Sequence, residues 1–176
     1  MISHVDKRVG NIIQTLKDNG LYENTIIIFA GDNGLAVGQH GLMGKQNVYE
    51  HSVGVPLMIK AAAQHTGKKT ADLCYLIDVF PTLCDMLQLP VPQSVDGISL
   101  LSSLDGKEPV RDYLYYSYMD NQRGISDGTW KLIEYHVNGK RTTQLFNLKN
   151  DPWERNDLSG QKKYEKTIQR LREKNG

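Results

Sequence analysis

The sequence predicts an α/β fold, with part of a parallel or mixed sheet, covering helices and a small C-terminal antiparallel α+β subdomain. Three observations predict it. A helical stripe of apolar residues leads into a continuous β-branched run at 25–30, and a second apolar run follows at 55–60. Beyond about residue 110, short strand patterns and the hairpin dipeptide Asn138-Gly139 replace this arrangement. The expected domains are therefore 1–110 and 111–176.

The first two elements are a helix and a strand. Apolar residues at helical spacing predict a helix over 4–19, and Gly20 stands where a C-cap glycine belongs. The run at 25–30 is apolar throughout, which is typical of a strand buried on both faces. A helix that leads into such a strand is half of a βαβ unit. We therefore expect the strand before this helix to lie outside the chain.

The middle of the chain is expected to be a long loop, a strand and a helix. Glycine-rich residues 31–47 form the loop, and the strand at 55–60 carries Pro56 only near its start, where proline is tolerated. A helix is predicted within 73–89, with Asp78 as its N-cap.

The last third of the chain predicts strands and one helix. Strands are expected at 113–118, 129–135 and 142–148, and Asn138-Gly139 indicates a tight hairpin between the second and third. A charged helix is predicted over 161–174. This part therefore reads as an antiparallel sheet with one helix.

Composition excludes several classes of partner. The 176 residues include 21 basic and 20 acidic side chains, well mixed, so a nucleic-acid partner is not expected. No stretch is apolar and long enough to predict a membrane span. Cys74 and Cys84 are expected to be buried reduced thiols. The first residues lack the pattern of a signal peptide, which leaves the compartment open.

The candidate site begins with Gly31-Asp32-Asn33-Gly34, directly after the strand at 25–30. Ligands of open α/β sheets bind beyond the carboxyl ends of strands. A carboxylate beside an amide oxygen on a tight turn suits a hard cation such as calcium or magnesium. Taken alone, the tetrapeptide is equally a good turn. Against a simple hairpin, no pairing strand is predicted before residue 55.

Lys45 is the one Lys or Arg between Gly31 and Leu57. A lone lysine is usually a surface group. Beside a divalent cation, however, its ammonium group can bind an oxygen of an anionic ester and stabilise charge on the leaving oxygen. His40 is a candidate donor to the same anion, whereas His51 is expected to pack or cap locally.

Short motifs follow one another along nearly the whole chain. They are Gly-Asp-Asn-Gly at 31–34, Gly-Gln-His-Gly-Leu-Met-Gly-Lys at 38–45, Tyr-Glu-His-Ser-Val at 49–53, Val-Pro-Leu-Met-Ile at 55–59, Asp-Val-Phe-Pro-Thr-Leu at 78–83, Asp-Gly-Ile-Ser-Leu at 96–100, Leu-Phe-Asn-Leu at 145–148, Asp-Pro-Trp-Glu at 151–154 and Asn-Asp-Leu at 156–158. In their order and spacing, these motifs together resemble the second half of type I sulfatases, of the alkaline-phosphatase-like superfamily.

The resemblance implies roles for the candidate residues. Asp32 and Asn33 would ligate a divalent cation, usually calcium, and Lys45 would contact the sulfate and the leaving-group oxygen. His40 would lie on the substrate side. Residues 1–110 would then be the C-terminal part of the catalytic α/β domain.

Two departures from the family pattern stand out. The family's nucleophile is a formylglycine made from Cys or Ser in a Cys/Ser-x-Pro-x-Arg motif, and neither Cys74, Cys84 nor any serine here is followed by Pro-x-Arg. It is therefore expected in an N-terminal part outside this chain. Gly54 stands where relatives commonly carry Arg before Val-Pro. Since calcium takes about 6–8 oxygens, we expect weak cation binding and no catalysis by the chain alone.

The expected function is hydrolysis of a sulfated carbohydrate or a small sulfate ester by the full-length parent. The resemblance suggests a periplasmic or secreted enzyme, and an exposed sheet edge predicts a homo-oligomer. One alternative is a phosphate or phosphonate ester hydrolase of the same superfamily. Another is a non-catalytic assembly or carbohydrate-binding domain, whose stacking residues would be Tyr115, Tyr116, Tyr118 and Trp130; such aromatics are equally typical of a strand core.

Overall fold

The computed structural model describes residues 1–61 and 67–175. None of the helices in these two ranges is both long and apolar enough to cross a membrane. The strands are β1 (Ile27–Ala30), β2 (Leu57–Lys60), β3 (Leu114–Tyr118), β4 (Gln122–Ser126), β5 (Trp130–Val137) and β6 (Lys140–Asn147). The α-helices are α1 (Ile2–Asp18), α2 (Glu50–Val53), α3 (Val79–Met86), α4 (Leu101–Leu104) and α5 (Glu165–Lys174).

The chain divides into two compact units. The candidate site residues and the four strands β3 to β6 all lie in the second unit. The predicted domains, 1–110 and 111–176, follow the family resemblance and stay a prediction. The first unit comprises residues 1–29 and 57–69, and the second comprises residues 30–56 and 70–176.

Helix α1 ends as its sequence predicts. Gly20 adopts a left-handed φ of 67° just beyond the helix. Its N–H donates to the Lys17 carbonyl at 3.0 Å, and the Leu21 N–H donates to the Leu16 carbonyl at 2.8 Å. These two bonds are those of a Schellman motif, in which glycine is favoured because it has no Cβ to clash. The predicted terminating glycine is therefore confirmed.

Strands β1 and β2 pair in a two-stranded sheet. The Gly31 N–H, just after β1, donates to the carbonyl of Pro56, just before β2, at 3.1 Å. The end of one strand thus lies beside the start of the other, so the pair is antiparallel and fits the mixed form of the predicted sheet. No residue of either strand is fully buried, since two strands alone cannot cover both of their faces.

Strands β3 to β6 form an antiparallel sheet in sequential order. The sequence predicts three of the four strands and misses β4, which is mostly polar and contains Gly124. A Cβ on Gly124 would lie 3.3 Å from the ring of Tyr116 on the neighbouring strand, so glycine makes room for that ring. The predicted hairpin at Asn138-Gly139 is confirmed, with φ of 50° and 75°.

The C-terminal sheet buries residues on both of its faces. Leu132 and Ile133 are adjacent on β5, point to opposite faces and are both fully buried. Leu132 packs with Leu171 of α5 in one cluster, while Ile133 packs with Tyr49 in the other. The segment that follows the candidate loop is therefore anchored on the core of this sheet.

Asp78 occupies the N-cap position of α3, but its side chain makes no capping bond to that helix. Instead the fully buried carboxylate pairs with Arg111 and accepts the N–H groups of Tyr75 at 2.7 Å and Ile98 at 2.9 Å. Burial opposes its ionisation, but these bonds outweigh burial and hold the pKa of Asp78 below its ordinary value. The predicted N-cap position is therefore confirmed, but the carboxylate binds Tyr75, Ile98 and Arg111 instead of the first N–H groups of α3.

The two thiols differ in burial. Cys84 is buried and Cys74 is half-buried, and both are free. Burial raises the pKa of the Cys74 thiol, which keeps it protonated. Their reduced state agrees with the sequence expectation.

Candidate functional site

The loop after β1 turns back on itself, and this brings Lys45 to Asp32. The Ala36 N–H donates to the Gly44 carbonyl at 3.1 Å, and the Gly38 N–H donates to the Leu42 carbonyl at 2.8 Å. Lys45, next after Gly44, is thereby returned to the start of the loop. Its Nζ lies 3.9 Å from Oδ2 of Asp32.

Asp32 presents an ionised carboxylate to solvent. Its side chain is 89% exposed. The Asn33 backbone N–H donates to Asp32 Oδ1 at 2.8 Å. That bond, followed by the positive charge of Lys45, lowers the pKa of Asp32. The carboxylate is therefore charged at neutral pH and keeps unused lone pairs on both oxygens.

The side chain of Asn33 is oriented by the backbone of α2. Its Nδ2 donates to the Ser52 carbonyl at 3.3 Å, and the Gly34 N–H donates to the same oxygen at 3.0 Å. A carbonyl oxygen only accepts, so the amide must turn its NH₂ group toward Ser52. This leaves Asn33 Oδ1 on the other side of the amide, free to ligate a cation.

Gly34 allows the loop to approach α2 closely. A Cβ at this position would lie 1.9 Å from the His51 carbonyl oxygen. Real Cβ atoms do not come so close to a backbone atom, so only glycine fits here. The second glycine of Gly-Asp-Asn-Gly is thus required by close packing on residues 51–52, which a simple exposed turn would not need.

The donor set suits part of a hard-cation site. Asp32 and Asn33 together offer carboxylate and amide oxygens, the ligand types that calcium and magnesium prefer. Within residues 1–61 and 67–175, no group of three or more His, Cys, Asp or Glu side chains could hold a metal ion. The other ligands of a six- to eight-coordinate cation would therefore be water, substrate or residues from elsewhere.

His40 lies near the loop but outside the Asp32–Lys45 pair. Its ring stacks on Tyr49 with centroids 3.9 Å apart and a 4° angle between the planes. Among the described contacts, none joins His40 to Asp32 or Lys45. The ring also lines a groove of about 580 Å³ together with Gln39, Trp153 and Arg155. Its place on the substrate side stays a prediction.

His51 is held by its neighbours, in line with the expectation that it packs locally. Its Nδ1 lies 2.9 Å from Ser52 Oγ, and its ring centroid lies 5.5 Å from that of His40. Burial, and then electrostatic interaction with His40, lower the pKa of His51. His51 is therefore neutral at physiological pH.

Gly54 ends α2 in direct contact with Glu50. Its N–H donates to the Glu50 carbonyl at 2.8 Å. A Cβ on Gly54 would lie 2.9 Å from both that carbonyl oxygen and Glu50 Oε2. The arginine expected here from the family resemblance would therefore require Glu50 to move.

Sequence reasoning misses the groups that support the site. The Ser52 carbonyl is a backbone atom, so the residue type gives no signal for its role. Glu50 lies in the Tyr-Glu-His-Ser-Val motif and Glu154 in the Asp-Pro-Trp-Glu motif, yet nothing in either motif shows that they meet. Lys131 sits in an ordinary strand pattern.

Comparisons with known proteins identify the family of this chain. Residues 38–175 match the family N-sulphoglucosamine sulphohydrolase, C-terminal. The chain is 30% identical over 180 residues to N-acetylglucosamine-6-O-sulfatase of Bacteroides thetaiotaomicron. The aligned region covers 95% of this chain and 32% of that protein. The chain spans about a third of the length of the curated relatives it matches.

Two solved structures have the same fold. One is the structure of a protein in complex with its substrate, D-glucosamine-2-N,6-O-disulfate. This chain is 28% identical to that protein, with a TM-score of 0.83, and the match covers 98% of this chain and 37% of that one. The other is the phosphonate monoester hydrolase of Agrobacterium radiobacter, with 28% identity and a TM-score of 0.80, over 99% of this chain and 38% of that one.

Proposed function

The chain belongs to the N-sulphoglucosamine sulphohydrolase C-terminal family, and from that membership we propose that it is the C-terminal part of a sulfatase that hydrolyses sulfate esters. The N-acetylglucosamine-6-O-sulfatase relative and the disulfated glucosamine complex both support this reaction class. The substrate would be a sulfated carbohydrate or a small sulfate ester.

The meeting of Asp32, Asn33 and Lys45 carries this proposal. A carboxylate and a free amide oxygen are adjacent, and an ammonium lies 3.9 Å from the carboxylate. Asp32 and Asn33 would hold a divalent cation, with calcium as the first candidate. When bound, the cation would neutralise negative charge on the sulfate group.

Lys45 is free to serve the substrate. Its pairing with Asp32 is long, and the two side chains are 50% and 89% exposed. Such exposed pairs contribute little stability, so a cation can displace the ammonium from Asp32 at little cost. Lys45 would then bind a sulfate oxygen and stabilise the negative charge that develops on the leaving oxygen. His40 would donate to the same anion from its place on Tyr49.

This chain by itself would be a weak cation binder without turnover. Asp32 and Asn33 supply at most three of the roughly 6–8 oxygens that calcium takes. The nucleophile, a formylglycine, would come from the N-terminal part of the parent. Turnover of p-nitrophenyl sulfate by the purified 176-residue chain would refute this part of the proposal.

Association of isolated chains is also proposed. Helix α1 contains no buried residue, and its apolar Val5 and Ile12 are 49% and 62% exposed. Such apolar surface, with the β1–β2 pair beside it in sequence, favours a homo-oligomer. A monomer at high concentration in light scattering would contradict this. Export to the periplasm or the medium is proposed from the family alone.

Phosphonate or phosphate ester hydrolysis is the second candidate. The likeness to the Agrobacterium radiobacter phosphonate monoester hydrolase favours this second reaction, because the structural match to that enzyme covers 99% of this chain. Asp32, Asn33 and Lys45 would suit either anion, since both esters present oxygens with negative charge.

The discriminating experiment compares p-nitrophenyl sulfate with phenyl phosphonate esters as substrates of the parent protein. We expect higher kcat/KM for the sulfate. Lys45→Met should lower kcat by roughly 10²–10³, the range for losing one oxyanion donor. Lys107→Met, at a lysine whose side chain is 70% exposed, is the matched control and should leave kcat unchanged. Equal loss in both variants, or preference for the phosphonate, would overturn the assignment.

A further inference from the structure

We infer that Lys131, Glu50 and Glu154 form a positioning triad that fixes the turn on which the site loop rests. The three side chains come from β5, from α2 and from the Asp-Pro-Trp-Glu motif, so they join segments far apart in the sequence. The inference deepens the proposed function and rests on it only where cation binding is concerned. The contacts themselves stand independently of the reaction.

The centre of the triad is a buried ammonium. Lys131 is fully buried, and its Nζ lies 2.7 Å from Glu50 Oε1 and 3.0 Å from Glu154 Oε1. It also lies 5.0 Å from the ring centroid of Tyr116. A buried lysine is costly unless it is paired, and the two carboxylates supply that pairing.

Glu154 binds the backbone of α2 as well as Lys131. Its Oε2 accepts the Glu50 N–H at 2.6 Å. That N–H belongs to the first residue of α2 and has no partner within the helix. One carboxylate oxygen therefore faces the ammonium while the other holds the start of the helix.

Helix α2 connects the triad to the site loop through hydrogen bonds. It is a single turn of four residues, too short to be stable without outside contacts. Its Ser52 carbonyl accepts both Asn33 Nδ2 and the Gly34 N–H. A displacement of α2 would therefore move the acceptor that orients Asn33.

The backbone of Glu154 indicates a tightly determined position. The residue is 2% exposed and adopts a left-handed φ of 52°, which non-glycine residues rarely adopt. Burial raises the pKa of Glu154, and the Lys131 charge opposes that shift. Without Lys131, two carboxylates would face each other with no positive charge between them.

The test replaces the positive charge with an apolar group of similar length, Lys131→Met, in the 176-residue chain. NMR would follow the Asn33 side-chain amide signals and hydrogen exchange at the Gly34 N–H. Breaking a buried ion pair is strongly destabilising, so we expect Gly34 exchange to rise on the order of tenfold or more. The Asn33 amide signals should move to the position of an exposed asparagine.

Rescue separates charge from packing. Lys131→Met/Glu154→Gln removes the repulsion, because the introduced amide is neutral and still offers an oxygen to the Glu50 N–H, while Glu50 is partly exposed. We expect this double variant to restore the Asn33 signals and to lower Gly34 exchange to the level of Glu154→Gln alone, about threefold above the unchanged chain. Arg172→Met is the matched control. Arg172 of α5 pairs at 2.8 Å with Glu134, which lies on β5 like Lys131, and its loss should change neither signal.

Unchanged Asn33 and Gly34 signals in folded Lys131→Met, or absence of rescue, would overturn the inference. If Lys131→Met does not fold, Gly34 exchange in Glu154→Gln tests the inference instead. It keeps the Lys131–Glu50 pair and turns a charge-assisted bond into a neutral one of about half the strength, so Gly34 exchange should rise about threefold. Unchanged exchange there would also overturn it. Cation titration tests the proposed function separately, because its failure leaves these signals as they are.

Discussion

The site loop and the C-terminal sheet, both in the second unit, are stabilised in opposite ways. Asp32 is 89% exposed and pairs with Lys45 only at 3.9 Å. Lys131 on β5 is fully buried, as are its neighbours Leu132 and Ile133. The difference is typical of proteins in which an exposed, adjustable loop carries the chemistry and a rigid scaffold positions it. Variants of the scaffold should therefore change stability, whereas variants of the loop should change ligand binding.

The largest effect on stability is expected from Arg111→Met. Asp78 is fully buried and Arg111 is 12% exposed, and breaking a buried pair costs about 3–5 kcal/mol. Urea denaturation should show this loss in the free energy of unfolding. Arg170→Met, which breaks a more exposed pair with Asp127, is the control and should cost at most about 1 kcal/mol. Equal losses would contradict the burial argument.

Acid should weaken the same part of the scaffold. The pKa of Asp78 is held below the ordinary value of 3.8, so its contribution to stability is complete above that pH. It is lost as pH falls from the ordinary value through the lowered one, because the unfolded state then binds a proton that the folded state does not. The free energy of unfolding should be about the same at pH 7 and pH 4, since the carboxyl pKa in the unfolded state is about 4. It should be lower at about pH 3. Arg111→Met should reduce this fall, and an unchanged fall would show that other carboxylates cause it.

An intermediate effect is expected from Gly34→Ala. The added Cβ would meet the His51 carbonyl oxygen at 1.9 Å, and forced overpacking costs about 1–3 kcal/mol. The loop should move away from α2 and release Asn33 from Ser52. Gly10→Ala is the control, because nothing lies within 4 Å of its Cβ position. Intact Asn33 side-chain signals in folded Gly34→Ala would contradict the close packing of loop and helix.

The smallest effect on stability is expected from Asp32→Asn. The side chain is almost fully exposed, and such surface changes usually stay within about 0.5 kcal/mol. Cation affinity should fall at the same time, because the one carboxylate among the two proposed ligands is lost. Thermal denaturation without cation should give the same Tm as the unchanged chain. A large drop in Tm would place Asp32 in the scaffold instead of the ligand site.

The sequence predicts most of the fold because the signals are local. Gly20 and Asn138-Gly139 require left-handed backbone, and the terminal helix stands out by its charged residues. Strand β4 escapes prediction because only Ile125 among its five residues is a strand former, and its place is set by pairing with β3 and β5. The strands at 25–30 and 55–60 are correctly located, but their apolarity alone does not give their antiparallel pairing.

The site is predictable only in part, for the same reason. Asp32, Asn33 and Lys45 stand out by residue type, order and spacing within one loop. The Ser52 carbonyl and the Lys131 triad do not, because their roles depend on contacts between residues up to 104 positions apart. The side-chain partner of Asp78 escapes prediction on similar grounds, since Arg111 lies 33 positions away.

The most direct test of the cation site is a calcium titration of the 176-residue chain followed by NMR. The account predicts that the Asn33 and Gly34 amide signals shift together, with weak affinity, and that Asp32→Asn abolishes the shifts. Lys45→Met should bind calcium at least as well, because a competing positive charge is removed. Shifts confined to other residues, or shifts at Asn33 that persist in Asp32→Asn, would contradict the site.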